Sequence, residues 1–135
     1  PWRYDQCVQF CQDNHLDMVH FLGSRSDVPQ ILQQLDAFVY ATDHDTFGIA
    51  VVEAMAAGVP MLVNDHEVMK EVTHNGEWAT LYRTGDMEDL WQHFSTMAQD
   101  PESAKRKAEA NAQVVRQQYS IAHHLQQLYD VYKTL

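Results

Sequence analysis

Ala37-Phe38-Val39-Tyr40-Ala41-Thr42-Asp43-His44-Asp45-Thr46-Phe47-Gly48-Ile49-Ala50-Val51-Val52-Glu53-Ala54-Met55-Ala56-Ala57-Gly58-Val59-Pro60-Met61-Leu62-Val63 contains a complete strand, turn, helix and strand. Residues 37–41 are nearly continuous in apolar character, which predicts a strand covered on both faces. The polar residues Thr42 to Thr46 form a turn. The spacing then predicts a helix from about Phe47 to Ala57, closed by Gly58 as a left-handed cap. Val59 to Val63 reads as a second buried strand, in which Pro60 is tolerated only near the beginning. Two strands joined through a helix pair in parallel, because a crossover returns the chain to the same end of the sheet.

Working outward, the pattern repeats. Tyr4, Val8 and Cys11 recur at helical spacing, so a first, partly buried helix runs to about Asn14. Val19-His20-Phe21-Leu22 is a short apolar run closed by Gly23, expected to be a strand. It is followed by the polar loop Ser24-Arg25-Ser26-Asp27 and by a helix carrying Val28, Ile31, Leu32 and Leu35. Beyond the central unit, Asp65 is placed to cap a short helix with Val68 and Val72, ended by Asn75-Gly76. Ala79 to Tyr82 reads as a last strand. Asp86 opens a helix with Leu90, Phe94 and Met97 on one face, and Asp100-Pro101 begins a polar helix to about Gln117. Ser120 caps a final helix whose Ile121, Leu125, Leu128, Tyr132 and Leu135 form one stripe, so this tail is expected to dock onto something apolar.

The reading is thus an α/β fold over residues 1–135: one domain with a mostly parallel, Rossmann-like sheet flanked by helices. In such sheets ligands sit beyond the carboxyl ends of the strands. The loops that matter are 23–27, 42–48 and 64–67.

Nine Lys plus Arg against nineteen Asp plus Glu give a net charge of −10, which disfavours nonspecific attraction to nucleic acid or to an anionic bilayer. Cys7 and Cys11 lie four residues apart on a helix, a spacing that suits two reduced thiols on one face better than a disulfide framework. No run of eighteen apolar residues exists and no signal-like start precedes the abrupt beginning at Pro1, so a cytoplasmic location is expected. The eight histidines form neither H-x3-H nor H-E-x-x-H, and no metal is expected.

Chemistry concentrates around the start of the central helix. Asp45 falls in the loop before it and Glu53 eight positions later, about two turns on. Between them the backbone N–H groups of Phe47, Gly48 and Ile49 are expected to face outward with the positive end of the helix dipole, an arrangement suited to a phosphate. Gly48 permits close approach. Carboxylates for hydroxyls and amides for a diphosphate are what a sugar nucleotide requires. The simpler alternatives are a solvated loop carboxylate or cap at Asp45 and a helix-face charge at Glu53.

The stretch D-T-F-G-I-A-V-V-E-A-M-A-A-G-V-P, residues 45–60, resembles the Glu-x7-Glu signature of family 4 glycosyltransferases, E-G-F-G-I/L-x-x-x-E-A-M-A-x-G-x-P. That resemblance implies the C-terminal, donor-binding half of a retaining enzyme of GT-B fold. By position, Asp45 contacts the donor sugar's hydroxyls, and Thr46, Phe47, Gly48 and Ile49 surround sugar and diphosphate. Glu53 binds the ribose hydroxyls. Val19 to Gly23 resembles the family's V-x-F-L-G strand, which assigns Ser24, Arg25 and Ser26 to the nucleobase pocket. Asp65 to Val72, Gly85-Asp86 and Asp100-Pro101-Glu102 follow in family order.

Asp45 replaces the family's first Glu, Thr46 the usual Gly, Glu67 and Val68 a frequent Gly-Gly, and Ala79 a common Gly. The family's first two strands, with an Arg/Lys pair for the leaving diphosphate, would precede Pro1, leaving a gap in the sheet between the strands at Val19 and Ala37. The resemblance implies a nucleotide-diphosphate sugar as donor substrate and no cofactor. It further implies an acceptor glycan or lipid-linked glycan held by a separate N-terminal domain, and room for peripheral membrane association of the full-length protein. The rival expectations are a degenerate, non-catalytic donor-like scaffold and a GT-B nucleotide-sugar 2-epimerase.

Overall fold

The computed structural model describes residues 2–134, with the side chain of Trp2 also outside the description. Ten elements follow one another: α1 (Trp2–Asp13), α2 (Val28–Leu32), β1 (Phe38–Tyr40), α3 (Ile49–Ala57), β2 (Met61–Asn64), α4 (Glu67–Val72), β3 (Thr80–Tyr82), α5 (Met87–Gln99), α6 (Pro101–Gln118) and α7 (Ile121–Thr134). The three strands form one parallel sheet in the order β1-β2-β3. Phe38 pairs with Met61 and Tyr40 with Val63, while Leu62 pairs with Thr80 and Asn64 with Tyr82. The α/β class with a parallel sheet flanked by helices is therefore as expected.

β2 is central and every residue in it is buried. Its alternation divides the core. Met61 and Val63 join Val51, Ala54 and Met55 of α3, Met69 and Val72 of α4, and Val115 of α6 in one cluster. Leu62 is fully buried but stands outside that cluster, on the opposite face, where α5 approaches β2 and β3. Helix α3 is the hub, packing against both α2 and α6. It is bounded by two glycines in the left-handed region, Gly48 and Gly58, each with φ 75°. At Gly48 that φ strains any side chain, and an added Cβ would also lie 2.8 Å from Cε at the movable end of Met69.

Several expected features differ. Val19 to Leu22 is not a strand, and Val19, Phe21 and Leu22 are exposed. Among the described residues no neighbouring strand supplies ladder partners there, and Phe21 instead meets Tyr4 edge-on at 5.3 Å. β1 is covered on one face only, with Val39 49% exposed. Asp65 does not cap α4. His66 occupies that position without a side-chain cap bond, because Asp65 is turned toward Thr84. Along the α7 stripe Ile121, Leu125, Leu128 and Tyr132 remain exposed, while Leu135 lies outside the described residues. On α5, Leu90 and Met97 are half-buried, but Phe94 is exposed and stacks on Trp91.

The caps at the other helices are as expected. Asp86 accepts from the N–H of Asp89, Asp100 from that of Ser103 and Ser120 from that of His123. Cys7 and Cys11 are free thiols. Among the described residues no helix is long and apolar enough to cross a membrane.

Leu62→Ala should remove about 2–5 kcal/mol of stability, since the central strand cannot collapse around the cavity without breaking its ladders. Chemical denaturation measures the loss. A change below about 1 kcal/mol would contradict the placement of Leu62 between two packed layers.

Candidate functional site

The loops following the three strands converge at the carboxyl edge of the sheet. Asn64, the last residue of β2, is 2% exposed and ties them together. Its Oδ1 accepts from the Thr42 N–H at 3.0 Å, and its Nδ2 donates to the Thr42 carbonyl at 2.9 Å and to Thr84 Oγ1 at 3.0 Å. Thr84 in turn donates its N–H and its hydroxyl to Asp65 Oδ1, both at 2.8 Å. These contacts hold Asp65 below the usual carboxylate range, the Thr84 N–H contributing most. Above this network lies an open crevice of about 440 Å³, walled by Thr42, Asp43, His44, Asn64, Thr84 and Asp86. Arg3 of α1 lines it as well.

Asp45 stands beside the crevice, at the approach to α3. Its Oδ1 accepts from the N–H groups of Phe47 at 2.9 Å and Gly48 at 2.7 Å, and its Oδ2 accepts from the Tyr40 hydroxyl at 2.6 Å. The Tyr40 phenol, then the Phe47 and Gly48 amides, pull the Asp45 carboxyl down from 3.8 to about 2. The same contact raises Tyr40, keeping its hydroxyl a donor. Local sequence dictates the arrangement: a short acidic side chain two and three residues before free helix-tip amides reaches them as an Asx cap. The amides expected to face outward at Phe47 and Gly48 are therefore directed onto Asp45. Gly48 itself is buried, whereas Thr46, Phe47 and Ile49 are exposed.

Glu53 projects from the fifth residue of α3 and is exposed. It lines a separate cleft of about 490 Å³ shared with Pro29 and Leu32 of α2, with Gln33 just beyond that helix and with Arg116 of α6. Arg116 is anchored there by donating from Nε to the Ala56 carbonyl at 2.7 Å. The loop carrying Ser24, Arg25 and Ser26 is exposed and leads into α2, on the same flank as Glu53. Arg25 holds both oxygens of Asp27, at 2.7 and 2.6 Å. Phe47 packs edge-on to Tyr119 at 6.0 Å and lines a third groove with Ser120 and Ile121.

Of the residues singled out from sequence, Glu53 and Phe47 thus line two different recesses, and Asp45 and the loop of Ser24, Arg25 and Ser26 stand outside both. Asp45 and Glu53 share one loop-helix unit but do not line a common cavity. Sequence reasoning missed Tyr40, Asn64, Thr84 and Arg3. Tyr40 and Asn64 carried a signal, each being a polar atom on the last residue of an apolar strand. Among the described residues no cluster of three or more His, Cys, Asp or Glu side chains could hold a metal ion.

A carboxyl group whose folded value lies below its unfolded value stabilises the fold fully above the unfolded value and loses that contribution as pH falls through the folded one. For Asp45 this window runs from 3.8 down to about 2. The amide proton of Gly48, followed by NMR, should titrate with a midpoint near 2 and show no such step in Asp45→Asn. A midpoint at the ordinary value of 3.8 would remove the hydrogen-bonded account.

The comparisons with known proteins agree with this architecture. The crystal structure of Anabaena HepE in complex with UDP superimposes with a TM-score of 0.87 at 23% identity, covering 98% of this chain and 37% of that one. The C-terminal domain of a glycosyl transferase group 1 family protein from Francisella tularensis gives 0.70 at 19% identity, covering 87% of this chain and 63% of that one. Both likenesses show the fold. In sequence, the chain is 35% identical over 118 residues to the N,N'-diacetylbacillosaminyl-diphospho-undecaprenol alpha-1,3-N-acetylgalactosaminyltransferase of Campylobacter jejuni, covering 83% of this chain and 30% of that protein. It is 29% identical over 123 residues to the phosphatidyl-myo-inositol mannosyltransferase of Mycobacterium leprae, covering 89% and 33%. The chain spans about a third of the length of these curated relatives. Residues 5–114 match the family described as glycosyl transferases group 1, and the chain belongs to that family.

Proposed function

We propose that this chain is the donor-binding, C-terminal lobe of a retaining family 4 glycosyltransferase of GT-B fold, holding a nucleotide-diphosphate sugar for hexosyl transfer. The observation that carries the reading is the ionised Asp45, fixed at the tip of α3 beside the carboxyl edge of a parallel sheet, with Glu53 on the same helix. UDP in a structural neighbour and glycosyltransferase names among the relatives support it.

In this reading Asp45 accepts a hydroxyl of the donor sugar. Glu53, about 6 Å along α3 by helical rise, takes the ribose hydroxyls. The nucleobase lies toward Ser24, Arg25 and Ser26, which share a flank with Glu53. The positive end of α3 faces the diphosphate across Thr46 and Ile49 and stabilises charge as it departs, while Phe47 and Gly48, whose N–H groups are held by Asp45, contribute through the helix dipole. Holding donor and acceptor in one geometry supplies much of the remaining rate.

The acceptor, a glycan or a lipid-linked glycan, belongs to a separate N-terminal domain, and the names of the two relatives make lipid-linked acceptors the favoured class. The enzyme works in the cytoplasm, with the full-length protein able to lie against a membrane. It uses no cofactor, the nucleotide sugar being its substrate. On its own this chain binds donor weakly and does not turn it over.

Isothermal titration with UDP, GDP and ADP sugars tests the reading. Heat of binding is expected from one of the three, and Glu53→Gln should weaken that affinity by roughly tenfold through loss of a charge-assisted hydrogen bond. Silence toward all three would overturn the proposal.

A further inference from the structure

Of the four acceptor positions on the Asp45 carboxylate, three take well-formed hydrogen bonds from the chain, and the Thr46 N–H adds a weaker contribution. Phe47 and Gly48 occupy Oδ1 through their N–H groups, and the Tyr40 hydroxyl occupies one position on Oδ2. Tyr40 is itself held from two directions. Its ring stacks on Phe38 with centroids 6.1 Å apart and planes 12° from parallel, and its carbonyl accepts the Tyr82 hydroxyl at 3.1 Å. The phenol therefore reaches Asp45 from the last residue of β1, anchored in the sheet and not in the loop.

We propose that Tyr40 is a positioning residue which, with the amides of Phe47 and Gly48, fixes Asp45 so that a single acceptor position remains for one hydroxyl of the bound sugar. The inference rests on the donor-lobe reading and refines it. The two amides serve Asp45, and the diphosphate is left to the helix dipole and to groups other than these two N–H donors. The shorter acidic residue is what permits this. A glutamate at 45 carries its carboxylate one methylene farther and is poorly matched to amides two and three residues on.

Because Tyr40 acts only through Asp45, and Asp45 only on the sugar, removing the phenol hydroxyl must separate sugar recognition from nucleotide recognition. The experiment compares UDP with UDP-glucose by isothermal titration on the chain and on Tyr40→Phe, with thermal melting to verify folding. Tyr40→Phe should bind UDP within about twofold of the parent and bind UDP-glucose about five- to tenfold more weakly, the size of one ordinary hydrogen bond. Equal weakening toward both ligands, or no change toward UDP-glucose, would overturn the positioning role while leaving the donor-lobe reading intact. Where the parent prefers a GDP or ADP sugar, the same comparison is made with that nucleotide and its sugar, and silence toward all three pairs overturns both readings.

The part played by the amides is tested without any Tyr40 variant. On saturation with UDP, the Phe47 and Gly48 amide protons should keep their NMR positions, whereas Asp45→Asn should displace both. A displacement by UDP as large as that caused by Asp45→Asn would show the amides transferring to phosphate and would refute the proposal.

Discussion

The side-chain amide of Asn64 is buried at the end of the central strand, and the carboxyl edge of the sheet depends on it. An amide removed from water is costly unless its donors and acceptor are matched. Here they are, to both backbone groups of Thr42 and to the hydroxyl of Thr84. One side chain thereby fixes the exits of all three strands. A sheet of three strands, none longer than four residues, offers few ladder bonds to hold its own loops. The Asn64 junction, continued through Thr84 to Asp65, compensates for that brevity and gives the crevice a rigid floor.

Asp45 solves a different problem with similar means. The tip of α3 presents amides that need an acceptor, and an acidic side chain in the preceding loop needs a fixed orientation. Each satisfies the other, and Tyr40 adds a strut from the sheet. The outcome is a carboxylate kept charged and held in one orientation. Glu53, exposed on the following turns of α3, has no such strut and is free to adjust to what it meets.

The sequence was most legible where a segment contains its own instructions. The strand-turn-helix-strand unit from Ala37 to Val63, the left-handed Gly58, and the caps at Asp86, Asp100 and Ser120 are all local matters of periodicity and capping chemistry. Legibility failed where the outcome depends on a distant partner. Val19 to Leu22 has the composition of a strand, but a strand exists only through its neighbours. Asp65 sits correctly for a cap until Thr84, nineteen residues on, competes for its carboxylate. The eight-residue interval between Asp45 and Glu53 was legible, and the fold sets them on one loop-helix unit without bringing them to a common cavity. That Asp45 would fold back on its own amides follows from its length, and its contact with Tyr40 needed coordinates.

Helix α3 begins and ends on residues that only glycine occupies comfortably, so its nine residues form a unit that can neither fray forward nor slide by a residue. Asp45 and Glu53 sit on opposite sides of the first of these stops. The unit works as a ruler for the backbone: the interval between the Cα positions of Asp45 and Glu53 is set by backbone stereochemistry, while the Glu53 side chain keeps its own freedom. A substitution at the exposed Ala50 can therefore change the helix surface without altering that interval.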